Sequence, residues 1–167
     1  MASRHAPRSD AVAGGPELSD ADALAQVSFV VLATLGRRAS ENGVSIIQTR
    51  LLGVLRDRTP SMNELAKLLE LDKSSVTGLV DRAEQRGLVT RIPSTADRRS
   101  VQVTLTGEGR SLAAAATGAF DADVEGLLDG LSPAQRRTLT RLLSRVVSDY
   151  ASRRGLDLSG RTRASSI

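Results

Sequence analysis

Lys73, Ser74, Ser75, Thr77 and Arg82 place cations and small hydroxyls close together, and Asp97-Arg98-Arg99 adds a second charged set shortly after. None of these stands beside a general base. The chain has no cysteine and its one histidine is His5. A thiol or histidine catalyst, a disulfide and a Cys or multi-His metal site are therefore excluded within one chain. No Gly-rich phosphate loop or nucleophile–base pair appears either, so no enzyme activity, metal or cofactor is expected. What these groups do well is bind. Hydroxyls can donate to or accept from base edges, and Lys and Arg neutralise phosphates.

Two helices must position the first set. Ser61 stands three residues before Glu64, the spacing of a capping box, and Pro60 precedes it. Leu65, Leu68 and Leu69 then share one face. The pattern breaks at Glu70-Leu71-Asp72, and Asp72 can cap a second helix. There Val76, Leu79, Val80 and Ala83 share a face, opposite Ser74, Gly78, Asp81 and Gln85, with Thr77 and Arg82 flanking. Small polar residues at the start of the second helix suit a reader of the major groove. Arg86-Gly87 supplies its stop.

After Gly87 the period changes to 2. Leu88–Ile92 and Ser100–Leu105 are strand candidates, and Pro93 to Arg99 between them is a turn. Arginines at a hairpin tip can reach phosphates or enter a narrow minor groove. Asp97 would aim a neighbouring guanidinium. From Lys73 to Arg99 six basic residues face three acidic ones, within a formal net charge of +4, which supports phosphate contacts.

The run Leu71-Asp72-Lys73-Ser74-Ser75-Val76-Thr77 with Asp81-Arg82, then Arg86-Gly87-Leu88-Val89, Asp97-Arg98-Arg99 and Leu105-Thr106, resembles the MarR family of bacterial winged-helix repressors. The family's Asp-x-Arg wing motif falls on Asp97 and Arg99. The resemblance implies a homodimer on a pseudo-palindromic operator, released by a small ligand or oxidant. It implies that Arg99 enters the minor groove and Asp97 orients it. It also implies a ligand pocket between the dimerisation helices and the DNA-binding lobe, touched by the first two helices and the long helix after the wing. Relatives often respond to phenolic or other aromatic acids, and Arg50 is a possible carboxylate partner, though an ordinary surface arginine is the simpler reading. One departure is Gly78, where many relatives carry a larger polar or basic residue.

The expected fold class is mainly α with a small β-wing: a winged helix-turn-helix over about 45–106, with dimerisation helices over about 18–38 and 107–154. Residues 18–157 form one domain; 1–17, with Arg4 and Arg8, and 158–167 read as disordered tails. Aromatic residues are 2% of the chain, so Leu, Val, Ile and Ala must build the core, which favours helix packing. The first helix should begin near Ser19, with Leu24, Val27, Val31 and Leu35 on one face and Phe29 and Val30 widening it, as a subunit interface would need. Arg37 to Gly43 reads as a polar connector, and Ser45 opens a second helix in which Gly53 marks close packing. A very short strand near Arg58 or Thr59 should join the wing. Thr106 caps a long helix carrying Leu112, Ala116, Phe120, Val124 and Leu127. Ser132-Pro133-Ala134-Gln135 is a strong helix start. The last helix, with Leu139, Leu142, Leu143, Val146, Val147 and Tyr150, should fold back on its predecessor. That would pair Asp121, Asp123, Glu125 and Asp129 with Arg136, Arg137, Arg141 and Arg145.

The residues taken together indicate a dimeric, sequence-specific DNA-binding regulator of transcription, and the resemblance implies a ligand-responsive repressor. Ser74, Ser75 and Thr77 would face bases or nearby phosphates, Lys73 and Arg82 would chiefly hold the DNA backbone, and Arg98 and Arg99 would serve the wing. The alternative is a winged-helix module for protein contacts without specific DNA. No apolar stretch approaches the roughly 20 residues that span a bilayer and no secretion signal is visible, so a cytoplasmic location is expected.

Overall fold

The computed structural model describes residues 18–94 and 100–156. The two tails, with Arg4, His5 and Arg8, and the segment 95–99, with Asp97, Arg98 and Arg99, lie outside the described residues. Six helices and one hairpin follow in the order α1 (Asp20–Glu41), α2 (Ile46–Arg56), α3 (Met62–Leu69), α4 (Lys73–Gln85), β1 (Val89–Pro93), β2 (Val101–Leu105), α5 (Gly107–Leu127) and α6 (Pro133–Arg153).

Local signals set most helix starts. The Ser61 and Ser132 side chains accept the N3 backbone N–H, and the Glu64 and Gln135 side chains return to the cap backbone. Ser45 and Gln48 form a third such box at α2. Ser19 caps α1 and Thr106 caps α5. Gly87 follows the Arg86 cap of α4 and adopts φ +70°, a conformation that glycine takes without the Cβ penalty.

The core lies in the lobe formed by α2, α3, α4 and the hairpin, sealed by the start of α5. Leu51, Leu65, Leu69, Val76, Leu79, Val80, Val89 and Val103 are its fully buried side chains. The strands pair antiparallel, Val89 opposite Leu105 and Pro93 opposite Val101. Ser94 N–H donates to the Ser100 carbonyl at 2.9 Å and closes the hairpin just before the wing tip.

Five expectations need correction. Arg37 to Gly43 is not a connector: α1 continues to Glu41, because Arg38 grips Asp123 of α5 through two bonds of 2.7 and 2.8 Å and Arg37 adds a third at 3.2 Å. No strand forms at Arg58 or Thr59; the hairpin is instead met at Ser61, in an isolated bridge to Gln102, and Val103 N–H donates to the Pro60 carbonyl. The first strand starts at Val89 rather than Leu88, and the second at Val101 rather than Ser100. Gly53 marks no close approach, since a Cβ there would meet nothing within 4 Å.

The last correction concerns α6. It does not lie along α5. Of the anticipated acid–base pairs only Arg136–Asp129 forms, at 3.1 Å across the intervening turn, and Asp123 is committed to α1. Ala151 is the sole buried residue of α6, while Leu142, Leu143, Val146, Val147 and Tyr150 are exposed. Leu24, Val27, Phe29, Val30 and Leu32 of α1 are exposed as well. These apolar side chains stand exposed to solvent among the described residues.

Candidate nucleic-acid interface

α4 is held with one face in and one face out. Val76, Leu79, Val80 and Ala83 are buried. Lys73, Ser74, Ser75, Thr77 and Arg82 are all exposed, so the structure brings together every sequence-predicted site residue of this helix on one accessible surface.

Asp72 organises the tip. Its carboxylate accepts the Ser75 N–H at 2.8 Å, the Ser74 hydroxyl at 2.5 Å and the Ser75 hydroxyl at 2.7 Å. These bonds, those of the hydroxyls foremost, hold the Asp72 pKa well below the usual carboxylate range. An ionised carboxylate only accepts, so both serines must donate inward. Thr77 likewise donates to the Lys73 carbonyl at 2.8 Å. The expectation that these hydroxyls either donate or accept is thereby narrowed. Outward, they present lone pairs.

The charge count from the sequence also changes meaning. Arg91 of β1 donates to Asp81 at 2.6 Å and to Glu84, and its backbone N–H reaches Glu84 at 3.1 Å. These bonds engage both acids of α4, offset part of their charge and tie the root of the hairpin to α4. Arg86 donates to the Gly43 carbonyl at 2.9 Å and braces α4 against the α1–α2 turn. On α4 this leaves the side chains of Lys73 and Arg82 with no hydrogen-bond or ion-pair partner among the described residues.

A contact that sequence reasoning missed lies behind the turn. Glu70 adopts a left-handed conformation, φ +54°, at the end of α3, which is costly for a residue with a Cβ. Tyr150 of α6 donates its hydroxyl to the Glu70 carboxylate at 2.7 Å, Arg154 approaches the same oxygen at 3.4 Å, and the Arg154 guanidinium lies 4.7 Å from the Tyr150 ring centroid. Acceptance by Glu70 raises the Tyr150 phenol above its ordinary range, against the opposing field of Arg154. The far end of α6 thus rests on the turn that feeds α4. A repeated local pattern would have revealed a cap; nothing local signals a partner 80 residues away.

A cleft of about 320 Å³ opens between α2 and α3, lined by Arg50, Gly53, Val54, Asp57, Arg58, Leu68 and Leu69. It is not bounded by α1 or α5, as the family resemblance implied a pocket would be. Among the described residues no cluster of His, Asp or Glu could hold a metal ion, and no helix is long and apolar enough to cross a membrane.

Comparison with known proteins places this geometry. The sequence pattern described as MarR family matches residues 42–100. The HTH-type transcriptional regulator PecS of Dickeya dadantii is 30% identical over 127 residues, which cover 74% of this chain and 76% of PecS. The crystal structure of a MepR–DNA complex from S. aureus superposes with a TM-score of 0.65 at 22% identity, covering 80% of this chain and 99% of that one. A crystal structure of NadR in complex with 4-hydroxyphenylacetate gives a TM-score of 0.66 at 23% identity, covering 80% and 95%.

Proposed function

The chain belongs to the MarR family of winged helix-turn-helix, DNA-binding transcriptional regulators, and on that premise we propose that it acts in the cytoplasm as a homodimeric repressor on a pseudo-palindromic operator. The observation that carries this reading is α4 itself. Its apolar side is fully buried, and Lys73, Ser74, Ser75, Thr77 and Arg82 stand exposed on the other. Two copies of α4 set about 10 bp apart would enter successive major grooves. The apolar faces of α1 and α6 would join the copies. Asp97, Arg98 and Arg99 would extend the hairpin to the flanking minor groove, Arg99 inserted and Asp97 orienting it.

The finer reading includes an effector. An aromatic or phenolic acid would bind and change the spacing of the two reading helices, favouring one arrangement over another. The NadR complex supports the chemical class, and Arg50 is a possible partner for the carboxylate.

Selection of bound duplexes from random sequence, with the mass of the complex measured by light scattering, tests the proposal. The expected product is an inverted repeat bound by two chains, with affinity falling steeply as salt rises. Arg99→Ala should weaken that complex and leave the dimer whole. A monomer, or binding indifferent to sequence, would leave a protein-contact module as the better description.

A further inference from the structure

Gly78, half-buried, lies on the side of α4 opposite its core face, one helical turn beyond Ser74. The space left by its missing side chain is taken. A Cβ built there would stand 3.2 Å from Nη1 of Arg82 and 4.0 Å from its Cζ. Helical geometry accounts for this, since side chains lean toward the N-terminus and a residue covers the surface of the one four positions earlier. The guanidinium of Arg82 is therefore carried forward over Gly78, toward the end of the helix that approaches DNA.

Its neighbours define its chemistry. Ser74, Ser75 and Thr77 already donate inward and offer acceptors outward. Arg91 is held by Asp81 and Glu84, and Arg86 by Gly43. The Arg82 side chain has no hydrogen bond or ion pair among the described residues and is exposed, so its planar fork of donors is free to meet a ligand at this face. Phosphates flank a groove, whereas the centre of a reading face meets base edges. Of the four bases only guanine offers two acceptors side by side in the major groove, O6 and N7, which match that fork.

We propose that Arg82, seated in the space Gly78 leaves, reads a guanine in each half-site and does not merely hold the DNA backbone. The inference rests on α4 entering the major groove, and it replaces the backbone role expected of this residue from sequence.

The test is selection from random duplexes with the full chain and with Arg82→Ala, followed by titration of the chosen operator and of the same operator with the guanine pair replaced. The wild-type protein should fix a G·C pair at one symmetric position per half-site and lose roughly tenfold to a hundredfold in affinity per half-site when it is replaced. Arg82→Ala should bind both duplexes alike. Gly78→Ala, which keeps the charge and favours the helix, should displace the guanidinium and blunt the same preference. If Arg82→Ala weakens every sequence equally, keeps the guanine preference and lowers the salt slope by about one phosphate, the proposal is wrong. If the wild-type protein selects no sequence at all, the major-groove reading falls first and this inference with it.

Discussion

Replacing Gly109 with alanine adds one methyl group to the first turn of α5, and the structure gives it nowhere to go. An ideal Cβ would lie 1.9 Å from the Leu88 carbonyl oxygen, 2.9 Å from the carbonyl carbon and 3.3 Å from Leu105 Cδ2. Ordinary contact begins near 3.4 Å, so the oxygen is roughly 1.5 Å too close. It cannot yield easily. It is backbone at the mouth of β1, and it accepts the Thr106 N–H at 3.1 Å, the bond that closes the hairpin onto α5. Overpacking a core costs about 1–3 kcal/mol, and a strained backbone hydrogen bond adds about 1 kcal/mol. Against this stands the helical preference of Ala over Gly, at most about 1 kcal/mol. The net expectation is a loss of about 2 kcal/mol, or about 4–8 °C in Tm for a chain of this size. Gly53→Ala is the control. It lies exposed inside α2 with nothing within 4 Å, so it should gain up to about 1 kcal/mol. Urea unfolding of both variants at one protein concentration provides the assay, because subunit association would otherwise shift the midpoint. If Gly109→Ala is as stable as the parent, or if both variants move in the same direction, the packing argument at the base of the wing is refuted.

Tyr150 is the only tyrosine and there is no tryptophan, so the rise of phenolate absorbance with pH reports it alone. Its midpoint should lie above the ordinary value of about 10, and Glu70→Gln should bring it down. The sign follows from the raised pKa: the contact with Glu70 stabilises the fold fully below the unfolded pKa and is lost as pH climbs through the folded one; an unshifted midpoint would remove the contact. Val146→Lys, on the exposed stripe of α6, should weaken self-association more than tenfold, as desolvating an unpaired charge at an interface centre does, while circular dichroism stays near that of the parent; an unchanged mass in light scattering counts against that interface. Arg91→Ala removes both side-chain links between β1 and α4 and leaves the backbone N–H bond to Glu84. With the partners half exposed, the loss of stability should be only about 1 kcal/mol, but operator affinity should fall further as the hairpin is held less firmly against α4, and equal affinity would show that the tie does not matter.

Sequence-local features were legible. The caps at Ser61, Asp72, Thr106 and Ser132 rest on bonds within three residues, and the buried stripe of α4 follows from helical period alone. What escaped was set at a distance. The C-terminal turn of α1 looks like a loop by composition, yet Arg37 and Arg38 are bound to Asp123 some 85 residues later. The same carboxylate was therefore missing from the pairing expected between α5 and α6. Apolar periodicity correctly marked a face on α6 but carried no information about which surface covers it. In the candidate site the residue types could be read, but the direction of each hydroxyl could not, because that depends on the ionised Asp72. The wing residues Asp97, Arg98 and Arg99 lie outside the described segments and stand as the family resemblance left them.

The burial of α6 has a consequence for how the protein answers to its own abundance. A helix of 21 residues that buries only its own Ala151 gains little from its own chain, since amphipathic helices in water draw most of their stability from what they pack against. In the proposed homodimer, dilution should loosen that helix before it disturbs the lobe, whose core contains no α6 residue. Tyr150 would then release Glu70, and the strained turn ahead of α4 would lose its brace. Copy number would in this way become an input to DNA recognition, acting through mass action rather than through any ligand.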